Sequence, residues 1–302
     1  MRAIDSINAS DRCFTEAAQA GVGTVVTGVG SANPIGGSLL AMKTYGSTRV
    51  DKLIIRDPVA IKFALGENPK RVYNDRDETP ITRMATVAVI REQLMKARRY
   101  MEDLAEYERT KGTDDESSRP DLDMKCEALI PLLRREIKAH FHCHRQDDIY
   151  TAIRIAKEFS LDYVLIHATD GWLIADEIGG ERAECIIGPL FADRCKPELV
   201  NQSIENAARL RRHGIAAAIC SDHPETPIQY LPVTAGIAVR GGLSREDAIR
   251  AITIVPARIC GIDDRVGSIE EGKDADLSVF RGEVFDITEK PEFVVINGKF
   301  VD

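Results

Sequence analysis

The 302-residue chain has no Cys-x-x-Cys pair, no histidine before His140, and no apolar run near the roughly 20 residues of a membrane span. Its seven cysteines are odd in number and scattered from Cys13 to Cys260, which fits neither a disulfide framework nor a zinc ribbon. A reducing, cytoplasmic setting is therefore expected. Aromatic residues amount to only 6%, too few to build a base-stacking surface. Basic residues are outnumbered 40 to 48, giving a net charge of −8. That balance argues against nucleic acid and anionic membranes as partners, since both demand clustered Lys and Arg. The opening Met1-Arg-Ala-Ile-Asp lacks the basic and apolar regions of a secretory leader. No fixed-period repeat occurs, so a solenoid or propeller is not expected. The expected partner is a small molecule, or another copy of the chain.

What is present reads as an α/β protein. The length suits one barrel-sized core with an appendage. Residues 21–30, GVGTVVTGVG, read as a buried parallel strand after a helix carrying Phe14, Ala17 and Ala18. Pro58–Leu65 is a second strand, stopped by Gly66-Glu67-Asn68-Pro69, with a hairpin-like excursion before it. Apolar residues at near-helical spacing predict a long amphipathic helix over Thr82–Lys111. A helix over Lys125–Arg135 comes next. Strands at 137–143, 163–167, 184–187 and 216–220 then alternate with helices at 147–159, 172–178, 197–213 and 244–253. That alternation is the pattern of βαβ crossovers around a parallel sheet, a barrel or a doubly wound fold. Near the end, Asn297-Gly298 between two short apolar runs predicts a tight hairpin.

Five of the six histidines fall where predicted parallel strands end: His140, His142 and His144, then His167, then His223 beside Asp222. In a barrel these ends converge on one face, so the side chains could surround one ion. Strand alternation sends His140, His142 and His144 to the same side. Imidazoles with a carboxylate suit zinc or a similar divalent ion, one or two in number. Such an ion would generate hydroxide from its water near neutral pH, and Asp222 is placed to take up the proton. Glu67, at a strand end, is the preferred further carboxylate ligand. Lys62 is the alternative, as a carbamate bridging two ions or as a reactive amine in a metal-independent aldolase or isomerase, although it would lie deep in the barrel. His213, at a helix end, reads as a capping group.

The strings KAHFHCHRQDDIYTAIRIAKEF (138–159), LIHATDGWLIADEI (165–178) and CSDHPETPIQYL (220–231), with Ile254-Val-Pro-Ala257 and residues 266–277, resemble the amidohydrolase superfamily in its imidazolonepropionase-like branch. The resemblance implies a (β/α)8 TIM-type barrel over residues 1–262, incomplete at the N-terminus, and a C-terminal β-sandwich segment over 263–302. It implies His142, His167 and Asp222 as ligands, Asp222 as proton shuttle, and Glu67 as a further ligand. His144, Arg145, Trp172 and His223 would contact substrate. The implied activity is hydrolysis or deamination of a C–N bond in a small cyclic amide, amidine or peptide-like substrate by metal-bound hydroxide. The family's first barrel strand ends in a His-x-His pair that has no counterpart here. A truncated chain with seven strands and an incomplete ligand set, acting as a non-catalytic binding or scaffold protein, is the alternative expectation.

Overall fold

The computed structural model describes residues 1–302. Seven strands form one curled sheet in sequential order: β1 Thr24–Gly28, β2 Ile35–Lys43, β3 Ile54–Ala64, β4 Lys138–Cys143, β5 Tyr163–His167, β6 Glu184–Ile187 and β7 Ala217–Ile219. From β3 to β7 every neighbour is parallel. The first strand departs from expectation, because β1 pairs antiparallel with β2, while β2, also antiparallel to β3, is the expected hairpin-like excursion. A short connection between β1 and β2 returns the chain directly, so no helical crossover exists to make that pair parallel. The result is a TIM-like half-barrel of α/β class. A second, three-stranded antiparallel sheet contains β8 Leu277–Val279, β9 Phe293–Ile296 and β10 Lys299–Phe300, with Asn297 and Gly298 both at positive φ in the tight turn between the last two.

The helices are α1 Arg12–Gln19, α2 Glu67–Asn74, α3 Arg83–Thr110, α4 Met124–Glu127, α5 Ile130–Leu133, α6 Gln146–Phe159, α7 Ala175–Gly180, α8 Asn206–Arg212, α9 Leu231–Arg240, α10 Arg245–Ala251 and α11 Ile254–Ile259. None is long and apolar enough to cross a membrane. Thr82 caps α3 by accepting from the Ala85 N–H, and Ser244 caps α10 by accepting from the Asp247 N–H. Two predicted helices are shorter than expected. The 125–135 segment breaks into α4 and α5, with Pro131 near the start of the second. The 197–213 segment is a short 3-10 turn, a loop, and only then α8.

Alternation along the strands separates two cores. Phe63, Phe141, Leu165 and Ile187 face outward against α3 and α6, in the cluster that includes Leu94 and Ile149. Ala60, Val164, Ile166 and Ala218 face inward, in a cluster with Ala257 and Ile259 of α11. Ile166 is level with His142 in the strand register, and Ala218 follows through Ile186, so this inner cluster reaches up to the layer of the histidines.

One buried cation ties the sheet to the C-terminal segment. Lys43, at the end of β2, is 2% exposed and its ammonium pairs with Asp274 at 2.9 Å and with Asp276. Arg265 also reaches Asp274, at 2.8 Å. Burial alone would raise the Asp274 pKa, but hydrogen bonds from Lys43 and Arg265 outweigh it and hold the carboxyl below its usual value. A carboxyl with a depressed folded pKa stabilises the fold above its unfolded value of about 3.9, and that contribution fades as pH falls toward the folded value. Lys43→Met should cost about 3 kcal/mol, read as a lowered urea midpoint at pH 7, because it leaves two carboxylates facing an apolar side chain. The variant should also lose less stability than the wild type as pH falls below about 5, because Asp274 loses the Lys43 hydrogen bond that depresses its pKa most.

Candidate metal centre

At the open mouth, β4 and β5 bring His142, His144 and His167 together, with one nitrogen from each lying within 4.8 Å of the others. His142 follows the strand pleat inward. Its neighbours Phe141 and Cys143 lie in the outer core, so His142 is on the opposite face. His167 shares the parity of Leu165, which is also in the outer core, and simple alternation would send it outward. Instead its backbone turns left-handed, with φ 70° at His167 and 40° at Ala168. The imidazole thereby comes to 4.6 Å, centroid to centroid, from that of His142. A non-glycine residue held at positive φ costs free energy, and such strain persists where surrounding structure enforces it.

Hydrogen bonds set the tautomers. The Gly188 carbonyl only accepts, so His167 donates from Nδ1, at 2.7 Å, and presents a bare Nε2. His142 is held from both sides. Asn68 Nδ2 donates to its Nε2 at 3.3 Å, and Nδ1 donates to Ser31 Oγ at 2.9 Å. Lys196 Nζ donates to Asn68 Oδ1 at 3.0 Å, which fixes the amide orientation. His144 Nδ1 pairs with Thr169 Oγ1 at 2.8 Å. Burial pushes the His167 pKa down to about 3 and the His144 pKa down to about 2, and it depresses His142 as well. Three neutral imidazoles with converging nitrogens fit a divalent metal ion, for which deprotonated nitrogen is the required donor, with an ion taking the place of the Asn68 amide on His142 Nε2.

The other expected site residues are distributed around this cluster. Asp222 is at the mouth after β7, exposed on one side and at φ 52°. Desolvation raises its pKa, while Lys62 and Lys196 pull it back. Glu67 is the first residue of α2, and its N–H donates to Glu198 Oε2 at 2.9 Å. Arg145 turns to Asp147 in an exposed pair at 2.9 Å. The Trp172 indole N–H donates to the Asn201 carbonyl at 2.9 Å, and His223 is exposed with Nδ1 accepting from the Ile228 N–H at 3.3 Å. Lys62 is level with His140 in the β3–β4 register, and Ala64 is level with His142. Thus Lys62 lies on the inward face one layer below the cluster. Burial lowers its pKa and Asp222 raises it, so it is electrostatically part of the site despite its depth.

Ser31, Asn68, Thr169, Lys196 and Glu198 have no sequence signal of comparable strength. They lie on loops or element ends, where neither periodicity nor motif marks a contact. Acidification should expose the cost of the neutral histidines. Their folded pKa values lie below the usual 6.5, so stability is complete above about pH 6.5 and declines as pH falls toward the folded values, since the unfolded chain binds protons that the folded chain refuses. Thermal unfolding at pH 7 and pH 5 should show a lower midpoint at pH 5, and added zinc should raise the midpoint more at pH 7.

Comparison with known proteins identifies the family of the fold. Residues 132–302, more than half of the chain, match the model of the amidohydrolase family. The chain is 39% identical to a crystallised amidohydrolase from Thermotoga maritima MSB8, with a TM-score of 0.94 over 99% of this chain and 76% of that one. It is 26% identical to the amidohydrolase tasK of Hapsidospora irregularis over 98% of its length, which is 32% of that protein. A shorter stretch, 23% of this chain, is 36% identical to 18% of the imidazolonepropionase of Mesorhizobium japonicum. The chain thus spans about a third and under a fifth, respectively, of these two curated relatives. On the family match and the Thermotoga likeness together, the chain belongs to the amidohydrolase family.

Proposed function

We propose that the protein is a metal-dependent hydrolase that cleaves or deaminates a C–N bond in a small cyclic amide, amidine or peptide-like molecule. The observation that carries this reading is the convergence of His142, His144 and His167 at the mouth of the half-barrel. Zinc is the proposed ion, since the donor set is nitrogen-rich. A divalent ion there supplies Lewis-acid activation of water and of the scissile group. The chain's own residues do the rest. Asp222, exposed at the mouth with a raised pKa, accepts a proton and returns it to the leaving nitrogen. Glu67 is proposed as a further ligand through its carboxylate, with Lys62, as a carbamate from the layer below, the alternative. The family relationship supports hydrolysis, the acidic charge balance supports a small-molecule partner, and the scattered cysteines support a reducing, cytoplasmic setting.

Metal content and turnover test this reading. The purified protein should contain about one or two divalent ions per chain. His142→Ala and His167→Ala should each lose most of that metal. Hydrolysis of an amide panel should vanish with a chelator and return with zinc. Asp222→Asn should lower kcat by roughly 10²- to 10⁴-fold while retaining metal. A protein that binds no divalent ion and shows no chelator-sensitive hydrolysis would overturn the proposal.

A further inference from the structure

Beside the histidine cluster lies a buried carboxylate whose chemistry the hydrolytic reading leaves unused. Glu198 comes from the short 3-10 turn Pro197–Leu199, between β6 and α8, and is 2% exposed. Its Oε2 accepts the Glu67 N–H at 2.9 Å, which holds the start of α2 in place. Gly66 makes room for this contact. A Cβ at that position would lie 2.7 Å from Glu198 Oε2, and its φ of 77° also favours glycine.

The other oxygen, Oε1, is fully buried and has no hydrogen-bond partner. It lies 3.8 Å from His144 Nε2, too far for a hydrogen bond. The nearby buried carboxylate is different. Asp148 receives the Arg83 guanidinium at 3.0 Å. The cation closest to Glu198 in sequence, Lys196, spends its ammonium on Asn68. An unpaired acceptor on a buried acid is costly, and such groups in folded proteins mark an ion, water or ligand that completes them.

We propose that Glu198 Oε1 is the docking point for a cationic N–H donor on the substrate, an amidinium or ammonium group, held next to the metal-binding histidines. The inference rests on the hydrolase reading for the position of the reacting bond, and it narrows the substrate to molecules with a positively charged nitrogen group near that bond. Glu198 is a specificity residue in this scheme: Oε2 is committed to the fold and Oε1 to the ligand. Lys196, on the same turn, keeps Asn68 against His142, so one loop serves both the histidines and the substrate.

The test reads binding without turnover, using benzamidine and its neutral isostere benzamide as probes in saturation-transfer NMR titrations of the full-length protein. Benzamidine should bind roughly 10- to 100-fold more tightly than benzamide, the range for a hydrogen bond to a charged group. Glu198→Gln, which keeps the shape and an acceptor for the Glu67 N–H, should erase that preference by weakening benzamidine binding to the level of benzamide. A wild type without preference, or a preference surviving in folded Glu198→Gln, would overturn the inference. If the variant does not fold, the wild type still decides: benzamidine should shift the His144 ring resonances in 13C-histidine-labelled protein and benzamide should not, and no shift with benzamidine overturns it. Chelator-sensitive hydrolysis without cation preference would defeat this inference alone. Cation preference without any hydrolysis would defeat the hydrolase reading alone.

Discussion

The site depends on keeping three imidazoles neutral, oriented and close together in a place that water barely reaches. Each requirement has a separate physical source. Burial removes the proton, and hydrogen bonds choose the nitrogen that remains bare. The strand ends set the spacing. The bond from His167 Nδ1 to the Gly188 carbonyl is the clearest case, because an acceptor that can only accept leaves the ring one tautomer. Gly188, at φ 129° after β6, carries that carbonyl where a Cβ would collide with the Cys220 backbone. A glycine in one loop thus decides the protonation geometry of a histidine on the neighbouring strand.

The rest of the fold supplies rigidity to that mouth. The outer core between the sheet and helices α3 and α6 fixes the strands, and α11 packs against their inner face. The Lys43 pair with Asp274 and Asp276 connects the β2 end to the segment entering the small sheet. Polar groups are therefore buried at two separated places, and only one has converging metal donors. At the clamp every charge meets a partner. At the mouth, Glu198 Oε1 does not, and a buried acceptor without a partner there calls for a ligand to complete it.

Much of the parallel half of the fold was legible because its signals are local. The runs at 163–167 and 184–187 coincide with β5 and β6 residue for residue, since short apolar strands bounded by turns allow little latitude. The long helix was legible from its period, and Ser244 and Asn297-Gly298 from capping and turn chemistry. The antiparallel pairing of β1 was not, because strand direction depends on the path of the connection, and a β-branched run reads alike either way. The 197–213 segment was misread for a related reason: its polar composition permits a helix, yet the loop is drawn out to deliver Lys196 and Glu198 to the mouth.

The sequence by itself determined which residue types stand at the strand ends: paired histidines after β4, one after β5 and an aspartate after β7. Those types restrict the chemistry to nitrogen and oxygen donors whatever their exact geometry. Only the tertiary structure decided which of them meet. His144 joined His142 and His167, where the motif alone had placed it toward the substrate, and Arg145 turned away to Asp147. The left-handed backbone at His167 reversed the side that alternation assigns to it. Glu198, silent in the sequence, became the most exactingly placed acid of the site, because the partners of a buried carboxyl are set by long-range packing that no local pattern encodes.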